Sequence, residues 1–123
     1  MHHLKRNVPP DVPTSDATVI RTHLDLRILF GHIRDAAQQA NIYGLNDYML
    51  DLEVYLKNLV SLSNSPVYSL CVNLIKSRWL EVFNEVYGTL EKINGDAQNL
   101  LKGYQNLDAD IRKLPDSGIV KTY

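Results

Sequence analysis

At 123 residues with 45% hydrophobic content, the chain has the size of one domain and enough apolar side chains to bury a core. Thirteen basic residues are interspersed among fourteen acidic ones for a formal charge of −1, so no large positive field exists to grip a phosphate backbone, and nucleic acid is not an expected partner. A lone cysteine, Cys71, excludes an intrachain disulfide and a four-thiolate zinc site, and apolar runs such as Ile28-Leu29-Phe30 fall far short of the roughly 20 residues that cross a bilayer.

Residues 1–14 carry Pro9, Pro10 and Pro13 with little apolar content, which predicts a flexible extended arm. The Thr14-Ser15-Asp16 cluster offers capping oxygens for a first helix that is predicted to run to Tyr43, with Gly44 as its stop. Val19, Leu26, Leu29, Ile33, Ala36 and Ala40 form its apolar seam. Ile20, Leu24 and Ile28 widen the stripe, so this helix is expected to touch two neighbours. Gly31, in mid-helix, is expected to mark a kink or a close helix crossing.

A second helix is predicted from Asn46 or Asp47 to between Ser61 and Ser63, with Leu45, Met49, Leu52, Leu56 and Leu59 as its main seam. Tyr48, Leu52, Tyr55, Leu59 and Leu62 make a second stripe, while Leu50 and Val54 add apolar surface on a further side. A helix this apolar is central or forms an interface. Glu53 and Lys57 have the spacing of a stabilising ion pair.

Ser65-Pro66 reads as a cap and first turn for a long third helix, whose face carries Val67, Cys71, Ile75, Trp79, Val82, Val86, Leu90 and Ile93. Asn94-Gly95 supplies a left-handed stop, and Asp96 is expected to cap a fourth helix ending at Pro115. The fourth seam, Ala97, Leu100, Tyr104, Leu107, Ile111 and Leu114, steps by threes and fours on one side. It continues the register of the third helix almost without slippage. The alternative is therefore a single rod of roughly 70 Å at 1.5 Å per residue, against which the stop-then-start chemistry of Asn-Gly-Asp predicts a break. Residues 116–123 form a tail.

Arg27-Ile28-Leu29-Phe30-Gly31-His32 places an arginine and a histidine five residues apart in a helical chain. The element resembles the arginine-x4-histidine motif of HEPN ribonucleases, helical bundles that dimerise to pair two such motifs. The resemblance implies Arg27 and His32 as a catalytic pair, one holding phosphate and the other polarising the attacking hydroxyl. Ile28 stands where that family has a polar residue. Read by themselves, Arg27 and His32 are solvated residues flanking an apolar stripe.

His23 and His32 are nine residues apart and on different helix faces, and the four-residue carboxylate pairs Asp47/Asp51 and Glu81/Glu85 fall on solvated faces, so no metal or acid–base site is expected. His2 and His3 belong to the arm. No glycine-rich phosphate loop, nucleophile elbow or HExxH is present, and neither a catalytic residue nor a cofactor is expected. Trp79 and Tyr104 lie on seams and are assigned to the core.

These patterns predict an all-α, four-helix antiparallel bundle over 15–115, with two long helices of roughly 27 and 29 residues overhanging two shorter ones of roughly 17 and 19. The expected function is non-enzymatic. It is that of a cytoplasmic protein-protein interaction module (an adaptor, chaperone-like or virally or plasmid-encoded binding factor) that self-associates as a homodimer or holds another protein. Nuclear or virion-internal residence is equally compatible. Tyr48, Leu50, Val54, Tyr55, Leu80 and Tyr87 are the expected protein-binding residues, being amphipathic aromatics and surplus aliphatics beside the seams. The alternatives are a HEPN-like ribonuclease using Arg27 and His32, and a self-assembling coiled-coil subunit.

Overall fold

The computed structural model describes residues 14–93 and 95–114. The arm with its prolines and histidine pair, Asn94, the side chains of Thr14, Ser15 and Asp96, and the tail from Pro115 lie outside the described residues. The chain forms four helices, α1 (Thr14–Gln38), α2 (Ile42–Val60), α3 (Tyr68–Leu90) and α4 (Asp96–Arg112), with no strand among the described residues. Their lengths are 25, 19, 23 and 17 residues, so two long and two shorter helices alternate, with less overhang than the seams alone predict.

Side-chain contacts fix the topology. Asp16 meets Ser65 and Ala37 meets Thr89, so α1 and α3 run parallel. Leu45 meets Tyr104, and Val60 shares a groove with Leu114, so α2 and α4 are parallel too. His32 with Tyr48 and Trp79 with Asp108 belong to the antiparallel pairs α1/α2 and α3/α4. Each helix packs on two others, while α1 and α4, like α2 and α3, face each other across the diagonal without packing. Successive helices thus alternate in direction, but the order around the core is α1-α2-α4-α3, and the 61–67 segment crosses the diagonal. The bundle has two layers of parallel helices, α1/α3 and α2/α4.

The seams of α3 and α4 are buried as their spacing predicts, apart from partly buried Val67 and Ile93 at the ends of the α3 stripe. Trp79 centres the core. Its ring lies 5.6 Å from Phe30, 5.7 Å from Phe83 and 6.4 Å from Tyr104. Tyr104 is fully buried and donates its hydroxyl to the Leu45 carbonyl at 2.5 Å, which satisfies the one polar atom it carries inside.

The end of α1 and the starts of α2 and α3 differ from those the residues suggest. α1 stops at Gln38, not Tyr43: Ala40 takes the left-handed conformation (φ 54), while Asn41 N–H bonds to Ala36 C=O at 2.8 Å and Ala40 N–H to Ala37 C=O at 3.1 Å. This is a Schellman ending with alanine at the position glycine usually fills. Asn41 then caps α2 by accepting Gly44 N–H at 3.0 Å, so Gly44 sits in the first turn of α2 and stops nothing. α3 begins at Tyr68, because Ser65 turns the chain instead of capping it, accepting Val67 N–H at 3.3 Å and donating its hydroxyl to Asp16.

The break between α3 and α4 is real. Gly95 has φ +82, a conformation that side chains resist, and it is itself the N-cap of α4, one residue before the expected Asp96. Gly31 marks no close crossing, since a Cβ there would meet nothing within 4 Å. The close approach is at Gly103, where a Cβ would overlap the end of the Met49 side chain that α2 lays over it.

Candidate interaction surface

The outward side of the α1/α3 layer carries two rows of exposed apolar side chains. Ile20, Leu24 and Ile28 recur every four residues along α1, and Leu70 and Leu74 do so along α3, continuing to Arg78. All five aliphatic side chains are between 47% and 62% exposed. α1 does touch two neighbours, as its widened stripe predicts, but α3 and α2 take up its two inner flanks and leave Ile20, Leu24 and Ile28 on a third side, exposed.

A groove of about 490 Å³ opens where the rows end, taking in Leu24 and Ile28 of the α1 row and Arg78 of the α3 row. Leu24, Ile28, Phe30 and Val82 form its apolar surface, and Gly31 leaves its α1 wall low for want of a side chain. Arg27, Arg34 and Arg78 line it together with one carboxylate, Glu81. None of the three guanidiniums is engaged in an ion pair among the described residues. Beside them His23 is buried with Nε2 unpartnered, and burial, reinforced by the charges of Arg27 and Arg78, lowers its pKa below the ordinary 6.5.

The six residues expected to bind protein fall in three separate places. Tyr48 and Tyr55 are half-buried in the α1/α2 seam, where Tyr48 stacks on His32 at 5.6 Å and 17°. Leu50 and Val54 lie exposed on the outer side of α2. Leu80 and Tyr87 are exposed on α3, Leu80 bordering the cleft over Trp79 and Asp108 and Tyr87 packing its ring 6.1 Å from Phe83. α2 and α3 sit on opposite corners, so these residues make no continuous surface.

On α2 the exposed residues form a ridge of a different kind. Tyr43, Leu50 and Val54 share one side with Asp47, while Asp51 and Glu53 flank it. The expected Glu53–Lys57 ion pair is not formed, and the three carboxylates make no ion pair among the described residues.

Arg27 and His32 are not brought together either. Five residues apart on a straight helix, they point into different grooves, Arg27 toward α3 and His32 toward α2. Among the described residues no three His, Cys, Asp or Glu side chains converge to hold a metal, and no helix is long and apolar enough to cross a membrane. Comparison of the chain with protein-family models, with curated proteins and with solved structures gives no match.

Residue spacing alone misses the α1/α3 face, because a widened apolar stripe reads the same whether a neighbour or water lies on it. The available signal was the second row, Leu70-Leu74-Arg78, at the same four-residue step on a helix running alongside.

Proposed function

We propose that the chain is a non-enzymatic protein-binding module that holds a helix of its partner in the groove between α1 and α3, as a cytoplasmic adaptor-like factor. The observation carrying this reading is the pairing of two exposed aliphatic rows with three guanidiniums that form no ion pair among the described residues. Exposed apolar patches rimmed by polar groups on small domains mark binding surfaces, and a groove between two parallel helices has the shape that takes the ridge of a third. Arginine is the charged residue best suited to an interface, being weakly hydrated and able to fork onto carboxylates.

Site-specific photo-crosslinking in the native source tests the reading. A crosslinker replacing Ile28, at mid-groove, is expected to yield a discrete protein adduct that disappears when Leu24 and Leu74 become aspartate. The same group replacing exposed Glu91 serves as the control. Absence of any protein adduct from Ile28 ends the proposal.

A further inference from the structure

We propose that the occupant of the α1/α3 groove is the outward ridge of α2 from a second copy of this chain. This rests on the groove being a protein-binding site and names its partner.

The argument is complementarity between two faces of one molecule. The groove offers Leu24 and Ile28 among Arg27, Arg34 and Arg78, with Glu81 as its one carboxylate. The α2 ridge offers Tyr43, Leu50 and Val54 among Asp47, Asp51 and Glu53, with Lys57 as its one nearby cation. Each face is apolar along its centre and carries an excess of one charge, and the signs are opposite. Neither set of charges forms an ion pair among the described residues. Opposed patches of this kind steer encounter and fix register, and apolar contact at the centre supplies the affinity.

The dimensions also agree. From Tyr43 to Val54 the ridge extends about 16 Å at 1.5 Å per residue, and from Leu24 to Arg34 the groove's α1 wall extends about 15 Å. Tyr43, 86% exposed at the start of α2, has no partner in its own bundle and would reach the end of the groove.

Groove and ridge lie on different layers, the groove on the outer side of α1/α3 and the ridge on the side of α2 turned from the core. A copy seated in the groove therefore cannot turn its own groove onto the first copy's ridge. The contact is heterologous, so assembly closes as a ring of three or more or continues as a filament, and does not stop at a two-fold dimer.

Complementation between two variants of the full chain, followed by sedimentation velocity, tests this. Arg27→Glu with Arg78→Glu spoils the groove, and Leu50→Asp with Val54→Asp spoils the ridge; the spoiled faces repel one another. Wild type is expected to pass beyond dimer as concentration rises. Each variant alone should be monomeric, its association weakened more than about tenfold. An equimolar mixture should give a 1:1 heterodimer and nothing larger, which also shows that both variants are folded. Adding Asp47→Arg and Asp51→Arg to the groove variant should restore assembly.

Wild type that stays monomeric to its solubility limit, or stops at a dimer, overturns the second-copy assignment. So do variants that still self-associate, or a mixture that forms no heterodimer. A monomer that nevertheless gives a crosslinked adduct with a different protein from Ile28 would leave the binding module standing and the self-association refuted.

Discussion

Trp79 donates its indole N–H to Asp108 Oδ1 at 2.9 Å, and the other carboxylate oxygen takes Arg112 Nε at the same distance. The bond joins α3 to α4 at the most aromatic point of the core, where the ring is 2% exposed. A buried donor stripped of its acceptor carries its full desolvation penalty. Asp108→Ala is therefore expected to destabilise the fold by about 1–3 kcal/mol, and Asp108→Asn, which keeps an accepting oxygen, by clearly less. Urea denaturation followed by the emission of Trp79, the one tryptophan of the chain, measures both. Equal losses would show that the acceptor is not what matters.

Ala40 is the one non-glycine residue with positive φ among the described residues, and it holds the Schellman turn that separates α1 from α2. An L-residue with a Cβ pays about 1–2 kcal/mol for that conformation, part of which glycine returns through its freer unfolded chain. Ala40→Gly should raise stability by about 0.5–1 kcal/mol at this exposed site. A fall in the denaturation midpoint would mean the turn relaxes without strain.

How much of this fold is legible in the residues depends on the helix. α3 and α4 each carry one dominant seam, so their buried faces follow from spacing alone. α2 carries three overlapping apolar stripes, and the main seam read from spacing is the buried one: Leu45, Leu52, Leu56 and Leu59 lie inside with Met49 partly covered, Tyr48 and Tyr55 at the edge, and Leu50 and Val54 in solvent. The order of helices around the core is illegible: nothing local in 61–67 says that the chain crosses the diagonal. Ile20, Leu24 and Ile28 widen the stripe of a helix that does meet two neighbours, yet they stay exposed, because their cover depends on where α3 lands.

The two sides of α2 make a direct test of that assignment. Leu52 is fully buried, so Leu52→Ala should cost about 2–5 kcal/mol, whereas Leu50→Ala, half exposed on the next face, should stay within about 0.5 kcal/mol. Chemical denaturation of the two variants in parallel decides it. Similar losses at both positions would place the outer side of α2 inside the core.

Cys71 is buried in α3, and burial raises the pKa of its thiol, so the reactive thiolate is both scarce and shielded. Labelling by a soluble disulfide reagent at mildly alkaline pH is expected to be far slower than for a free thiol and to accelerate with denaturant along the unfolding curve, since access requires opening of the bundle. Fast labelling of the native protein would show that the N-terminal half of α3 opens locally.

His23 gives the fold a pH dependence whose sign is set by its surroundings. It is buried beside α3 with Nε2 unpartnered, and burial first, then the positive charges of Arg27 and Arg78, hold its pKa below the ordinary 6.5. The unfolded chain therefore binds a proton at this site more readily than the native one, and stability falls as the proton is taken up. The full contribution is present above pH 6.5 and is lost as the pH drops below it through the native pKa. Comparing wild type with His23→Leu cancels the other titrating groups: the stability difference between the two proteins should be flat above pH 6.5 and shift in favour of the leucine variant below it. A difference that stays constant across this range, or that shifts in favour of wild type on acidification, would show that His23 finds a proton acceptor in the native protein.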